Sequence, residues 1–236
     1  MNLEELQGIH KNKRAFLVGN GPSLSKAPFD LFAKEYTFGM NRIALIFKMT
    51  DWRPTYFVGV STLMVDTSLS HYHLDFLDGI DAAEIAFIWS GLIGISSLNR
   101  RKNVVFIDCS EMEHVESHEA MLEFWSDDIS ERVSKFGTSM FTALQIAAWM
   151  GFDPIYLIGV DGFYQDYKGK KDPNHFNSEY RGKHGNTDFE KINAAHKKAY
   201  EIAREALKGR IKIYDATQAA GYGIFPKRDL LKVLNG

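Results

Sequence analysis

The segment Ala15-Phe-Leu-Val-Gly-Asn-Gly-Pro-Ser-Leu24 decides the fold of this 236-residue chain. Its first four residues are apolar without alternation, which is typical of a strand covered on both faces. Gly19 and Gly21 follow at once, and glycine lets a backbone pass close to another group. Pro22 and Ser23 are typical of a turn that opens a helix, whose first amides can hold a phosphate. The segment predicts a nucleotide-binding turn, with a purely structural strand-to-helix turn as the alternative.

Five further runs share the apolar, Val/Ile/Phe/Tyr-rich character of this first strand. They are Thr55–Val60, Glu84–Trp89, Asn103–Asp108, Pro154–Gly159 and Arg210–Tyr214. Because such runs do not alternate apolar with polar residues, they predict the buried strands of a parallel sheet.

Two helical patterns lie between these strands. One is an apolar stripe over Met140–Gly151, capped by Thr138 or Ser139, and the other covers Asp188–Leu207. Alternating strands and helices predict an α/β fold: one doubly wound, mostly parallel, Rossmann-like sheet with helices on both faces. We expect a single nucleotide-binding domain over 1–236, with a small mobile lid over 164–187.

Composition and charge exclude several classes of protein. A formal net charge of −2 argues against a dedicated nucleic-acid binder, which usually has a strong basic excess. The longest uncharged apolar stretches, 85–98 and 139–152, are shorter than a membrane span. A lone cysteine, Cys109, and two acids within the first seven residues predict a cytoplasmic location.

The charges are unevenly distributed along the chain. Residues 108–131 hold nine acids and no Lys or Arg, whereas residues 167–212 hold twelve bases. Solvated helical faces explain this pattern, and a basic segment facing an anionic substrate is the functional alternative.

Three more segments carry candidate binding residues. In Phe38-Gly-Met-Asn-Arg-Ile43, Asn41 offers a donor and an acceptor to a base or ribose, and Arg42 suits a phosphate, although a turn with a surface arginine is equally consistent. Thr138 and Ser139 place two hydroxyls beside the unpaired amides of a helix start, which capping alone also explains. Asp161 leaves the most hydrophobic strand and is followed by two tyrosines, which is typical of a ligand cradle.

A basic, glycine-punctuated loop, Tyr180–Asp188, contains His184, whose neutral imidazole can take a proton from a hydroxyl. The other histidines, His175 among them, carry less signal. No metal site is predicted, since His114 and His118 lack the glutamate of an H-E-x-x-H motif and no Asp-x-Asp occurs anywhere.

Taken in order, these segments resemble the bacterial CMP-sialic-acid-dependent sialyltransferases and the wider group of Maf-type flagellin glycosyltransferases and 6-hydroxymethylpterin pyrophosphokinase-like proteins. The matching pieces include Gly19-Asn-Gly-Pro-Ser-Leu24, Asn41-Arg42, Thr138-Ser139 and Ile155-Tyr-Leu-Ile-Gly-Val-Asp161. The resemblance covers scattered parts of most of the chain.

What the resemblance implies about the site is specific. Asn20, Gly21 and Ser23 would approach the phosphate and sugar of a nucleotide, and Asn41 and Ser139 would line its pocket. Asp161 and Gly162 would lie near the nucleoside. Tyr164 and Tyr167 would donate to the departing phosphate, which gains charge in the transition state.

The catalytic loop departs from the family pattern. In the sialyltransferases a histidine in Gly-His-x-x-Asn-Thr-Asp acts as the base, whereas this chain reads Gly182-Lys-His-Gly-Asn-Thr-Asp188. An ungapped match therefore puts Lys183 at the position of the base and His184 one residue later. A shifted loop lets His184 act as base, and an unshifted one puts a cation there that favours anionic substrates.

The leading hypothesis is a metal-independent, inverting glycosyltransferase that moves a sialic-acid-like sugar from a CMP-type donor to a hydroxyl of a cell-surface glycan. This hypothesis requires no cofactor, and it is compatible with peripheral contact with a membrane and with an oligomer. Two rivals stay open: an ATP-dependent, magnesium-assisted pyrophosphokinase acting on a pterin-like alcohol, and a nucleotide-binding module without catalysis.

Overall fold

A computed structural model describes residues 2–61, 70–110, 124–167, 171–180 and 188–236. Seven strands form the main sheet, and two very short ones, β6 and β7, form a separate pair. The strands are β1 Ala15–Val18, β2 Tyr36–Met40, β3 Tyr56–Gly59, β4 Ile85–Trp89, β5 Val104–Ile107, β6 Cys109–Ser110, β7 Val133–Ser134, β8 Ile155–Ile158 and β9 Ile213–Asp215.

Five α-helices accompany the strands within the described residues. They are α1 Ser70–Ala82, α2 Ser96–Asn99, α3 Ser139–Trp149, α4 Phe189–Leu207 and α5 Leu230–Asn235. Short 3₁₀ helices occupy Leu3–Leu6, Pro22–Lys26, Phe29–Phe32, Ile43–Lys48 and Ser90–Leu92.

The main sheet is parallel throughout, in the order β5-β4-β3-β2-β1-β8-β9. All six strands predicted from apolar runs are present within a few residues of their expected ends. The seventh, β2, contains Phe38–Met40 and ends just before Asn41. The doubly wound α/β fold is confirmed.

Both faces of the sheet are buried because successive side chains of a strand point to opposite sides. In β1, Leu17 joins the apolar layer beneath α3 and α4, whereas Phe16 and Val18 join the layer on the other face, with Leu24 and Leu230. This two-sided burial explains why the strands read as continuous apolar runs.

The turn after β1 differs from the sequence prediction in one respect. The residues from Pro22 to Lys26 form a 3₁₀ helix of five residues rather than the start of an α-helix. The helices predicted later in the chain are present: Thr138 caps α3 by accepting from the Met140 amide, and Asp188 caps α4 by accepting from the Lys191 amide.

Helix α3 is buried on nearly every side, and it carries two fully buried polar side chains, Thr142 and Gln145. The Gln145 Oε1 accepts from the amides of Ser126 and Ser134 at 3.1 Å each, and its Nε2 donates to the carbonyls of Ser134 and Phe141. A satisfied buried amide of this kind ties the 124–134 segment to the helix that carries Thr138 and Ser139.

Replacing Gln145 should therefore destabilise the protein. Gln145→Leu leaves the Ser126 and Ser134 amides without their acceptor, whereas the Ser134 carbonyl still accepts from Thr142, so we expect the free energy of unfolding to fall by about 2–6 kcal/mol, at roughly 1–3 kcal/mol for each unsatisfied amide. Urea unfolding followed by tryptophan fluorescence measures the change. Ser25→Ala, at an exposed position, is the control, and an equally small effect of both variants would contradict this account.

Candidate functional site

The candidate site lies at the carboxyl edge of the sheet, where β1 and β8 are neighbours. The chain runs from β1 to β5 in one direction across the sheet and places β8 and β9 on the other side of β1. In open parallel sheets this reversal of direction creates the crevice in which ligands bind. The Gly19–Ser23 turn leaves β1 here, and the segment from Gly159 to Tyr164 leaves β8 beside it.

Hydrogen bonds join the turn after β1, residues 19–23, to the turn after β8, residues 159–161, and we call this set of contacts the clasp. The Gly21 amide donates to the Gly159 carbonyl at 2.9 Å, and the Ser23 amide and hydroxyl donate to the two carboxylate oxygens of Asp161 at 2.9 and 2.8 Å. A Cβ on Gly21 would lie 2.0 Å from an Asp161 oxygen, and one on Gly19 would lie 2.6 Å from the Gly159 carbonyl oxygen. The glycines are needed because the other turn approaches this closely.

This clasp changes the interpretation of the glycine-rich motif. The amides of Gly21, Ser23 and Leu24, which the sequence assigns to a phosphate, donate inside the protein, the last to the Gly21 carbonyl. Asp161, assigned to the nucleoside, accepts from Ser23 instead. The physical reason is that a buried carboxylate takes the nearest free donors, here those of the first turn of a helix.

The clasp also affects the charge of Asp161. Burial raises the pKa of this carboxyl above its ordinary value of 3.8, although the hydrogen bonds from Ser23 act in the opposite direction. Asp215, also buried, adds to the increase, and Lys227, which pairs with Asp215 at 2.9 Å, opposes it.

Polar side chains also lie close together between the carboxyl ends of β1 and β2. They come from the turn after β1, the end of β2 and the start of α3. The Asn20 side-chain amide donates to the Met40 carbonyl at 3.2 Å, next to Asn41, and its Oδ1 is buried without a hydrogen-bond partner. Asn41, in a left-handed conformation at φ 54°, accepts from the Ser139 hydroxyl at 3.4 Å. The structure thus brings together Asn20, Asn41 and the start of α3, as the sequence predicts.

Arg42 is not a surface residue. It is 2% exposed, forms an ion pair with Asp75 at 2.5 Å, and donates to the carbonyls of Glu179 and Tyr180. Its guanidinium also lies 4.1 Å from the ring centroid of Tyr72. These contacts make Arg42 the anchor of the segment that ends at Tyr180, and a phosphate would have to replace one of them.

The segment 171–180 packs over the ends of β1 and β2 as a second layer of the site. The Phe176 amide donates to the Asn20 carbonyl at 3.0 Å, and the Tyr180 hydroxyl accepts from the Arg42 amide at 3.4 Å. Asp172, Asn174, His175 and Tyr180 are buried within it. This part of the predicted lid is thus tightly packed, and a mobile lid over 164–187 stays a prediction.

Sequence reasoning missed His175. Its Nδ1 lies 2.6 Å from Asp172 Oδ2, its Nε2 lies 3.4 Å from the Tyr164 hydroxyl, and its ring stacks on Tyr180 at 4.0 Å. The Asp-x-x-His spacing from Asp172 is the one signal in the sequence, and it is too common to single out a histidine.

Tyr164 and Tyr167 occupy different surroundings. The amide and carbonyl of Tyr164 are both bonded to the Asn193 side chain of α4, at 2.7 and 2.9 Å, which fixes this turn on the helix. Tyr167 is buried, and its ring faces Phe189 at 6.4 Å. Gly162, at φ 105°, lets the turn pass close to the Gly221 carbonyl.

The tyrosines around this point are held in their protonated form. Burial raises the pKa values of Tyr180, Tyr200 and Tyr222 above the ordinary value for a phenol. Such hydroxyls stay hydrogen-bond donors at neutral pH, as the stabilisation of a developing negative charge requires.

A run of side-chain contacts links Tyr180, His175, Tyr164, His196, Tyr222 and Tyr200. It joins the segment that ends at Tyr180 with the turn after β8 and with α4. The predicted base, His184, and its rival Lys183 lie outside the described residues, as do His114 and His118.

Comparisons with known proteins identify the fold. No protein-family model and no curated protein matches the sequence. Among solved structures, the MAf glycosyltransferase from Magnetospirillum magneticum AMB-1 is similar with a TM-score of 0.60 and 13% identity, over 94% of this chain. This chain spans only 35% of that protein's length.

The sialyltransferase CstII from Campylobacter jejuni, solved with the substrate analogue cytidine-5'-monophosphate, has a TM-score of 0.51 and 14% identity, over 92% of this chain and 85% of its own. A second CST-II structure, with a trisaccharide acceptor and CMP, has a TM-score of 0.50 and 15% identity, over 91% and 86%. The resemblance to the Maf and sialyltransferase group is therefore confirmed in the fold.

Asp161 should make stability depend on pH in a defined direction. Because native Asp161 holds its proton to higher pH than the unfolded chain does, its contribution to stability is largest at low pH and is lost as the pH rises from about 4 through the raised native pKa. Asp161→Asn keeps an acceptor for the Ser23 amide and removes the titration. The variant should gain stability relative to wild type between about pH 4 and 7.

Urea unfolding across that pH range measures the difference. Asp128→Asn is the matched control. Because hydrogen bonds from Ser130 lower the pKa of Asp128, the effect of this substitution on stability should change with pH in the opposite direction. A difference between Asp161→Asn and wild type that stays constant with pH would contradict the raised pKa.

Proposed function

We propose that this protein is a glycosyltransferase that transfers a sugar from a nucleotide-sugar donor to an acceptor hydroxyl. More specifically, we propose that the donor is a CMP-activated, sialic-acid-like sugar and that the acceptor is a cell-surface glycan. The observation that carries the proposal is the convergence of Asn20, Asn41, Ser139 and Tyr164 around one edge of a parallel sheet. Its fold is shared with glycosyltransferases, one of them solved with CMP and a trisaccharide acceptor.

The reaction needs three things from the protein. The bond between the anomeric carbon and the donor phosphate breaks, its electron pair stays on the phosphate, and the acceptor oxygen bonds to the anomeric carbon while losing a proton to a base. Donors aimed at the departing phosphate stabilise the charge it gains. Tyr164 would supply such a donor, and Ser139, at the start of the 11-residue helix α3, another.

The proposal includes no metal and no cofactor. Fixed hydroxyl donors would stabilise the phosphate in place of a cation. Within the described ranges, no group of three or more His, Cys, Asp or Glu is placed to hold a metal ion.

The base in this proposal is His184, by resemblance to the sialyltransferase loop. It stands four positions after Tyr180, which is anchored by Arg42, and four before Asp188, the cap of α4. Lys183 at the same place would instead hold the carboxylate of an anionic sugar.

Partners and location follow from the same proposal. The partners would be the nucleotide-sugar and the glycan acceptor rather than nucleic acid, and the protein would work in the cytoplasm with peripheral membrane contact and self-association left open. None of the described helices combines the length and hydrophobicity that crossing a bilayer requires.

Nucleotide binding gives the first test. CMP should raise the melting temperature more than CDP, UDP or GDP, since a ligand at 100 times its Kd stabilises the native state by about 2.7 kcal/mol. Asn41→Ala and Ser139→Ala should reduce the response to CMP, and Ser25→Ala should not. No response to any of these nucleotides would overturn the proposal, and a magnesium-dependent response to ATP alone would favour the pyrophosphokinase.

The base gives the second test. His184→Ala should lower transfer from CMP-sialic acid to an acceptor by about 10²-fold or more, because general-base catalysis contributes that much, while leaving the response to CMP intact. Lys183→Ala should leave transfer unchanged, because in the shifted loop His184 takes the position of the base. Unchanged transfer by His184→Ala would remove this residue from the mechanism, and a loss confined to Lys183→Ala would favour the unshifted loop.

A further inference from the structure

The Asp172–His175 pair is the most completely buried pair of ionisable side chains near the site. The Asp172 side chain is 0% exposed and that of His175 7%. One Asp172 oxygen accepts from the Asn174 amide at 2.8 Å, and the other lies 2.6 Å from His175 Nδ1. Both carboxylate oxygens are thus engaged, and the carboxylate assigns the Nδ1 proton to the imidazole.

The imidazole is held so that its other nitrogen faces Tyr164. Its ring lies parallel to that of Tyr180, with an interplanar angle of 7° and a centroid distance of 4.0 Å. Arg42 in turn fixes Tyr180, because its backbone amide donates to the Tyr180 hydroxyl and its guanidinium donates to the Tyr180 carbonyl. With one edge bonded to Asp172 and one face stacked, His175 can place Nε2 only toward the Tyr164 hydroxyl, 3.4 Å away.

Tyr164 is held from a second direction by α4. Asn193 bonds both its amide and its carbonyl, and the ring of His196 lies edge-on to the Tyr164 ring at 5.3 Å. The backbone of Tyr164 is fixed by one element and its hydroxyl end by another. A carboxylate that orients an imidazole, which in turn orients a hydroxyl, is the arrangement by which proteins direct a reactive oxygen.

We propose that His175, oriented by Asp172, is a positioning residue that sets the place and direction of the Tyr164 hydroxyl at the site. This inference rests on the proposed function, in which Tyr164 donates to the departing phosphate. Because a phenol has one proton, that proton points to the phosphate during transfer, and the phenol oxygen accepts from an Nε2–H of His175, whose Nδ1–H stays on Asp172. His175 touches neither substrate in this account and acts through Tyr164 alone.

A buried histidine–tyrosine pair elsewhere in the molecule shows what a purely structural pair looks like. His10 Nε2 lies 2.5 Å from the Tyr56 hydroxyl, and the His10 ring stacks on Phe152 at 4.4 Å. This pair lies at the amino ends of the strands, far along the sheet from the site, and no carboxylate orients its imidazole among the described contacts. It is a matched control for stability.

The first experiment measures the contact without any substrate. In long-range ¹H–¹⁵N spectra of the histidine rings, the signals absent from His175→Asn identify His175, and we expect a proton on Nδ1. Tyr164→Phe should shift the Nε2 signal, and Asp172→Asn should change the tautomer. Unchanged His175 signals in Tyr164→Phe would overturn the proposal, whichever reaction the protein catalyses.

The second experiment measures whether the effects of His175 and Tyr164 on the hydrolysis of the donor, CMP-sialic acid, depend on each other. Tyr164→Phe should lower kcat by about 10²-fold, as for loss of an anion-stabilising donor. His175→Asn should lower kcat by about tenfold or more with KM changed less than twofold, and should have no further effect in the Tyr164→Phe background. Equal losses in both backgrounds would show a merely structural role and overturn the proposal.

The control separates this result from loss of stability. His10→Asn and Tyr56→Phe should lower the melting temperature as much as the variants at the site, with kcat unchanged. Absence of donor turnover in the wild-type protein, together with no binding of CMP, would end the proposed function, and the ring spectra would still decide whether His175 positions Tyr164.

Discussion

The structure depends on the contact between the turns that leave β1 and β8. In this clasp, Gly21 and Ser23 approach Gly159 and Asp161 so closely that no side chain fits at Gly19 or Gly21. Since β1 and β8 flank the point where the strand order reverses, the clasp decides how far the two halves of the sheet open at their carboxyl edge. Asn20 and Ser23 are carried by the first of these turns, and Asp161 and Tyr164 by the segment that leaves β8.

A second layer turns this edge into a site. Arg42, buried at the end of β2, pairs with Asp75 and binds the carbonyls of Glu179 and Tyr180, and so fixes the segment that carries His175. Burying an arginine is costly unless it is paired and its donors are used, and here both conditions hold. Arg42 therefore supports the site through packing, whereas its residue type alone suggested a direct phosphate contact.

The polar atoms of the candidate site are of two kinds. The carboxylates of Asp161 and Asp172 accept hydrogen bonds from within the protein. The others are hydroxyls, amides and imidazoles, and burial raises the pKa values of the phenols of Tyr180, Tyr200 and Tyr222. Hydroxyl and amide donors of this kind stabilise negative charge by fixed hydrogen bonds. In the function we propose, the departing phosphate is the group that gains this charge.

The sequence by itself determined the parallel sheet, six of its seven strands and the helices α3 and α4, though not the 13-residue helix α1, and it narrowed the cap of α3 to Thr138 or Ser139, because apolar runs, helical spacing and capping are local properties. It also placed Asn20, Asn41 and Ser139 together, since the carboxyl ends of parallel strands share one edge. Only the tertiary structure decided that Asp161 binds Ser23, that Arg42 is buried, and that His175 faces Tyr164. These contacts join residues from different elements, and which donor meets which acceptor depends on how the elements pack, which no local pattern records.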